Sequence, residues 1–214
     1  MNTETEMAER FAKDVAQHEM TVLHDDGLYR HLRFMRTETG KDGKARSSLI
    51  YWFDLVTWPG SLAINGDMGS FQFSRTKDMF EFFRGSRINP QYWAEKVRGG
   101  RDDIERYDED LFRQLVTEHF VDAARNGGVP PGMGKAVREQ ILDSCDIFHE
   151  HGAHTALADF EYEGFYFGDT FEWNLRSWSC QFLWCCHAIQ WGIRQYDAGR
   201  ASARRPMETA ELPA

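Results

Sequence analysis

The sequence predicts an α+β fold, in which an antiparallel sheet of about five strands over residues 20–75 precedes a helical portion over residues 76–198. Before residue 76, runs rich in β-branched and aromatic residues alternate with short turns. After it, apolar residues recur every three to four positions. The 214 residues suffice for one substantial core, so we predict a single α+β domain over residues 1–198. The polar residues 199–214 are predicted to be a disordered tail.

A helix is predicted ahead of the sheet, at residues 4–18, because its apolar residues recur at every fourth position. These residues are Met7, Phe11 and Val15. Two strands then flank the sequence Asp25-Asp26-Gly27, which is typical of a tight turn because Gly tolerates positive φ. The strongest strand pattern is at residues 49–58. Short turns join neighbouring strands in antiparallel order, so the sheet should be a meander.

The helical portion is predicted to contain five helices, with turn signals between them. They cover residues 76–85, 89–100, 108–128, 135–152 and about 170–197. The fourth helix should point its apolar residues inward: Val137, Ile141, Cys145 and Phe148. The last helix is apolar on nearly every side, which predicts that it lies in the middle of the core.

The acidic composition argues against a protein that binds duplex nucleic acid. The chain has 34 acidic and 25 basic residues, a formal net charge of −9, whereas duplex affinity comes mainly from Lys and Arg that neutralise phosphates. One small anionic ligand needs only a local cluster of donors, so it stays compatible with this charge. The chain contains no apolar run of about 18 residues and its acidic start lacks a signal core. We therefore expect a cytoplasmic protein without a membrane partner.

Alternation along the second strand predicts a candidate ligand surface. Tyr29, His31 and Arg33 share one face of the strand, and Arg30 lies on the other. Aromatic residues of the next strand can lie beside them, and such a mixture suits a nucleotide, because aromatic rings stack on a base and Arg binds phosphate. The candidate ligand-binding residues are Tyr29, Arg30, His31, Arg33, Trp52 and Trp58. The alternative interpretation is a solvated strand face with ordinary cross-strand pairs.

The sequence contains candidate catalytic residues but no complete set of metal ligands. If the protein is an enzyme, the candidate acid, base or ligand residues are His24, Asp25, Asp26 and His31. A catalytic metal needs three protein ligands in one place, and no third ligand is visible, so we predict neither a metal nor another cofactor. The histidines of "FHEHGAH" should lie at a solvated helix end that Gly152 terminates. The four cysteines form no C-x-x-C and are expected to be free thiols packed as small hydrophobes.

Three blocks of sequence carry a resemblance to a known family: "HEMTVLHDDGLYRHLRF", "YWFDLVTWPGSLAINGDMGSFQFSR" with "DMFEFFRG" after it, and "FLWCCHAIQWGIRQYDA". They resemble an uncharacterised protein family encoded by tailed bacteriophages and prophages, over residues 18–198. The resemblance implies a small accessory phage protein acting in the cytoplasm of an infected bacterium, and no catalytic residue. Phage proteins of this kind often counter host defence by sequestering or cleaving nucleotide signals.

Three functions remain open at the level of sequence. The favoured hypothesis is an anti-defence protein that binds and sequesters a small nucleotide-derived immune signal. The second is a phosphodiesterase or hydrolase that cleaves such a signal. The third is an inhibitor that binds a host protein through an acidic surface. The oligomeric state is also open, and a homo-oligomer is compatible with the sequence.

Overall fold

A computed structural model describes residues 3–39, 45–85 and 87–204 of the chain. The chain divides into two compact units. The first unit contains residues 1–104 and 179–214, and the second contains residues 105–178. Within the described ranges, no helix is long and apolar enough to cross a lipid bilayer.

The elements follow one another in this order. The first unit begins with α1 (Thr3–Asp14), β1 (His18–Asp26), β2 (Tyr29–Thr39), β3 (Ala45–Trp58), β4 (Ser61–Gly66), β5 (Gly69–Ser74), α2 (Met79–Phe83), α3 (Pro90–Ala94) and β6 (Val97–Gly99). The second unit contains β7 (Glu105–Tyr107), α4 (Glu109–Arg125), α5 (Met133–Val137), α6 (Glu150–Ala158) and β8 (Arg176–Trp178). The chain then returns to the first unit as α7 (Cys180–Arg204).

The first unit is built on a six-stranded antiparallel sheet whose order follows the sequence, from β1 to β6. The predicted α+β class is confirmed, and the first five strands form the expected meander. The sixth strand was missed, because β6 lies within residues 89–100, which the sequence predicted to be one helix. That helix ends at Ala94, and Val97 then pairs with Phe73 and is fully buried.

One face of the sheet packs against α7, and its core is dense in aromatic residues. Leu32, Phe34, Phe53 and Leu55 are buried on this face. Gly192 of α7 allows the close approach, since a Cβ at this position would lie 2.7 Å from Cδ1 of Leu55 and 3.0 Å from Cζ of Phe34. The helix therefore lies directly on the sheet.

The other side of α7 packs against α1. The rings of Phe11 and Trp184 meet edge to face at 5.1 Å. The indole Nε1 of Trp184 donates a hydrogen bond of 3.0 Å to Oδ2 of Asp14. The long helix is thus enclosed between the sheet and α1, as its apolar surface predicted.

The predicted bounds of the last helix were wrong at its start. Residues 170–178 form a 3₁₀ turn at Thr170–Glu172 and strand β8 in the second unit, and α7 begins only at Cys180. Ser179 marks the start because its Oγ accepts a hydrogen bond of 3.1 Å from the backbone N–H of Phe182. The helix continues to Arg204, through six residues of the predicted tail (199–204). Residues 205–214 of that tail lie outside the described residues.

The second unit has its own apolar core, formed by α4, α5, α6 and the segments between them. The predicted helix at 135–152 is interrupted by a π turn at Arg138–Leu142 and a 3₁₀ turn at Cys145–Phe148. Cys145 and Phe148 are consequently exposed rather than inward. Gly152 does not end the helix either, because α6 continues through it, and its missing side chain lets the carbonyl oxygen of Asp146 approach.

Candidate functional site

The hairpin of β1 and β2 places two histidines opposite each other. His24 and His31 are cross-strand partners on either side of the turn at Gly27, which has a φ of 62°. This pairing confirms the two strands that the sequence predicts on either side of Asp25-Asp26-Gly27. The register shifts between Val22 and His24, so that His24, rather than Leu23, faces His31.

Side chains of β2 alternate between the two faces of the sheet. Arg30, Leu32 and Phe34 are buried on the face that packs against α7. Tyr29, His31 and Arg33 lie on the opposite face, which we call the outer face, and Tyr29 is 54% exposed. The outer face therefore carries the polar side of the strand, as alternation predicted.

Four residues of the outer face make direct contacts and are called the Asp54 cluster: His31, Arg33, Trp52 and Asp54. The guanidinium of Arg33 donates from Nε to Oδ1 of Asp54 at 2.9 Å and from Nη2 to Oδ2 at 2.8 Å. Nε2 of His31 is 2.9 Å from the same Oδ2. The guanidinium carbon of Arg33 lies 5.7 Å from the ring centroid of Trp52. The cluster therefore holds an arginine in a fixed orientation.

Asp54 stays charged in this environment. Burial of the side chain raises the pKa of Asp54, but the hydrogen bonds from Arg33 and His31 outweigh it, so the pKa is lower than usual. The same hydrogen bond with Asp54 raises the pKa of Arg33. Alternation placed Asp54 on the face of Trp52, yet the residue was not recognised as part of a site. An acidic residue inside an aromatic strand, opposite an arginine, is the signal that could have identified it.

The aromatic candidate residues, Tyr29, Trp52 and Trp58, lie at the two ends of this polar cluster. Trp52 and Trp58 belong to the same strand and are six residues apart, which corresponds to about 20 Å along β3. Arg30 pairs with Thr57, so Tyr29 lies at the level of Trp58. His31 and Arg33 fall between the two aromatic ends. The structure thus brings five of the six predicted ligand-binding residues onto one face.

Arg30 is the sixth, and it lies on the buried face. Its Nη1 and Nη2 donate to Oδ1 and Oδ2 of Asp78 at 2.8 and 3.0 Å, and its guanidinium lies 4.6 Å from the ring centroid of Phe80. Asp25 pairs with Arg30 on the same side of the sheet, and its carboxylate, which is 29% exposed, accepts a hydrogen bond of 2.8 Å from the hydroxyl of Tyr196. These contacts give Arg30 and Asp25 a structural role. Of the two predicted aspartates, Asp26 remains exposed, opposite Tyr29.

Clefts are found on surfaces other than the outer face. A cleft of about 460 Å³ runs along α1 and α7, beside His18 and Trp191. The second unit has a cleft of about 820 Å³ that is lined by Cys145, His149 and His151 among others. Within residues 3–39, 45–85 and 87–204, no group of three His, Cys, Asp or Glu side chains is placed to hold a metal ion.

The outer face therefore combines the oriented cation of the Asp54 cluster with the cross-strand pair His24 and His31 and with flanking aromatic rings. Such a surface can contact phosphate and base groups at the same time. Comparison of the chain with protein-family models, with curated proteins and with solved structures finds no match.

Proposed function

We propose that the outer face of the first unit binds a short single-stranded oligonucleotide and sequesters it. The observation that carries this proposal is Arg33, which is oriented by Asp54 and Trp52 between two aromatic ends of the face. The sequence predicts a nucleotide ligand, and we propose that this ligand is an extended chain of several nucleotides.

Arg33 supplies the phosphate contact. Asp54 occupies its Nε and Nη2, and Nη1 has no acceptor among the described residues. The side chain is 38% exposed, so Nη1 can donate to a ligand. Because the guanidinium is already ordered, little conformational entropy is lost when it binds a phosphate.

The spacing of the aromatic rings favours an extended ligand. Trp52 lies at one end and Tyr29 with Trp58 at the other, about 20 Å apart along the strand. A single base cannot reach both ends, whereas an extended chain of three or more linked nucleotides can stack at both while a phosphate lies at Arg33. Stacking of this kind contributes about 1–3 kcal/mol per base and tolerates different base sequences.

The charge of the chain favours a short ligand. With a formal net charge of −9, the protein does not attract long polyanions from a distance. A ligand of only a few nucleotides carries few phosphates, and one oriented arginine suffices to hold one of them. In the phage setting that the sequence resemblance implies, a short oligonucleotide signal of the host immune response is the expected ligand.

The test is calorimetric titration with trideoxyadenylate. We expect Arg33→Ala and Trp52→Ala each to weaken binding by about ten- to a hundred-fold, because each removes a contact worth about 1.5–3 kcal/mol. Arg101→Ala removes an exposed arginine elsewhere in the first unit and should leave the affinity unchanged. Wild-type affinity in both cluster variants, with unchanged thermal melting, would place the site elsewhere.

A further inference from the structure

We infer that His24 and His31 form a general acid–base pair that cleaves a ribonucleotide phosphodiester bound on the outer face. This inference rests on the proposed oligonucleotide binding, and it names ribonucleotides with a free 2′-hydroxyl as the substrate class. It assigns the two histidines a role that the binding proposal does not require.

The register places His24 and His31 opposite each other on neighbouring strands. His24 and His31 are direct cross-strand partners, so their Cβ atoms are about 4.5–5.5 Å apart and their side chains leave the same face of the sheet. His24 is exposed and His31 is partly exposed. Two imidazoles at this separation can reach the attacking and the leaving oxygen of one phosphodiester, and imidazole can both accept and donate a proton near neutral pH.

Asp54 orients His31. A charged carboxylate can only accept hydrogen bonds, so the 2.9 Å contact requires Nε2 of His31 to be the donor. Nδ1 is then the nitrogen that exchanges protons with a substrate. Because Asp54 fixes the ring of His31 through Nε2, we assign His31 as the acid and His24 as the base. Asp54 is a positioning residue.

Arg33 supplies the third component of the reaction. Its guanidinium shares Asp54 with His31, which places it beside the same phosphate. The charge on the non-bridging oxygens rises when phosphorus becomes five-coordinate, and a fixed cation stabilises that state. The Asp54 cluster thus holds an acid and a cation next to the base, His24.

The reaction is an intramolecular transfer. His24 removes the proton of the 2′-hydroxyl, whose oxygen attacks phosphorus, and the bond from phosphorus to the 5′-oxygen breaks. His31 donates its proton to the departing 5′-oxygen. The products are a 2′,3′-cyclic phosphate and a 5′-hydroxyl, and the step consumes no other reactant. Exchange with solvent restores the two protonation states.

Asp25, a catalytic candidate from the sequence, lies outside the acid–base pair inferred here. Asp25 accepts hydrogen bonds from Tyr196 and lies 3.7 Å from Nη1 of Arg200, on the opposite side of the hairpin from the histidines. We therefore leave Asp25 out of the inferred pair, in which Asp54 is the carboxylate next to His31.

The experiment compares triadenylate with trideoxyadenylate. The ribonucleotide should be cleaved and yield a cyclic phosphate, which chromatography resolves. His24→Gln and His31→Gln should each slow this cleavage by about 10²- to 10⁴-fold, and titration of each variant with the deoxy ligand, which lacks the attacking hydroxyl, measures separately any loss of binding. His151→Gln in the second unit is the matched control and should cleave at the wild-type rate.

A second substrate separates the acid from the base. Adenosine 3′-(4-nitrophenyl phosphate) has a leaving group that departs without a proton. On this ester His31→Gln should regain most of its rate relative to wild type, and His24→Gln should remain slow.

Each outcome bears on one of the two proposals. Binding of trideoxyadenylate without cleavage of triadenylate overturns the acid–base pair and leaves sequestration standing. Cleavage that persists in both histidine variants also overturns the pair. Failure to bind trideoxyadenylate, with no cleavage of triadenylate, overturns the binding proposal together with the inference.

Discussion

Arg30 and Arg33 lie three residues apart in β2 and make the same kind of contact on opposite faces of the sheet. Each donates two hydrogen bonds to one aspartate, and each guanidinium lies near an aromatic ring. Their environments differ, because the side chain of Arg30 is 8% exposed and that of Arg33 is 38% exposed. The comparison shows that solvent access, not the ion pair itself, separates a structural arginine from one available to a ligand.

The partners of the two arginines differ as well. Asp78 caps the N-terminus of α2 by accepting a hydrogen bond of 2.9 Å from the backbone N–H of Phe80. The ion pair of Arg30 and Asp78 therefore links the N-terminus of α2 to strand β2. Among the described residues, the side-chain hydrogen bonds of Asp54 join it to Arg33 and His31 of the outer face, so this ion pair orders surface side chains.

The largest expected effect is that of removing the buried arginine. Arg30→Met keeps the apolar length of the side chain but leaves Asp78 charged and unpaired at a site with little water. We expect the free energy of unfolding to fall by about 3–5 kcal/mol. Urea denaturation followed by circular dichroism measures this change. A loss below about 1 kcal/mol, the range of surface pairs, would remove the distinction between the two arginines.

A smaller loss of stability is expected for the aspartate of the outer face. Asp54→Asn keeps the shape of the side chain but presents an amide N–H₂ group to donors of Arg33 and His31. We expect a loss of about 1.5–3 kcal/mol at neutral pH, measured by the same denaturation. Asp54→Glu, which keeps the charge, is the companion variant and should lose less. Equal losses in both would mean that packing, rather than charge, determines the effect.

The free energy of unfolding at acid pH tests whether Asp54 and Asp78 are charged in the folded protein. In both Asp54 and Asp78 burial raises the pKa, but hydrogen bonds from the arginines outweigh it and the net pKa is lowered. Their stabilising contribution is therefore complete above the pKa of the unfolded chain, about 3.9, and is lost as the pH falls through the lower pKa of the folded state. The stability difference between wild type and Asp54→Asn should narrow below about pH 4. If the stability difference between wild type and Asp54→Asn stays constant down to pH 2, the prediction is wrong.

The smallest effect on stability is expected at Arg33. Its removal exposes Asp54 to water, which replaces the lost hydrogen bonds, so Arg33→Ala should change the free energy of unfolding by less than about 1 kcal/mol. The same variant is expected to lose ligand affinity, so the two measurements sharpen the contrast with Arg30→Met. A loss of several kcal/mol in Arg33→Ala would make both arginines structural.

Local patterns predicted the first five strands of the first unit and, along β2, the face that each residue takes. Because side chains in a strand alternate with a period of two, the sequence separated Arg33 from Arg30 without knowledge of the fold. The turn at Gly27 determined that His24 and His31 lie across one hairpin. The apolar surface of α7 likewise predicted that it is enclosed.

Contacts between residues distant in sequence were decided only by the tertiary structure. Asp78 is 48 residues from Arg30, and Tyr196 is 171 residues from Asp25. No pattern of period two or 3.6 carries information over such separations, because each partner is chosen by how helices and strands pack. The same holds for β6, which is a strand only because β5 offers it a pairing edge. The sequence by itself determined the faces of the sheet, and packing decided which face is buried and which charged residues meet there.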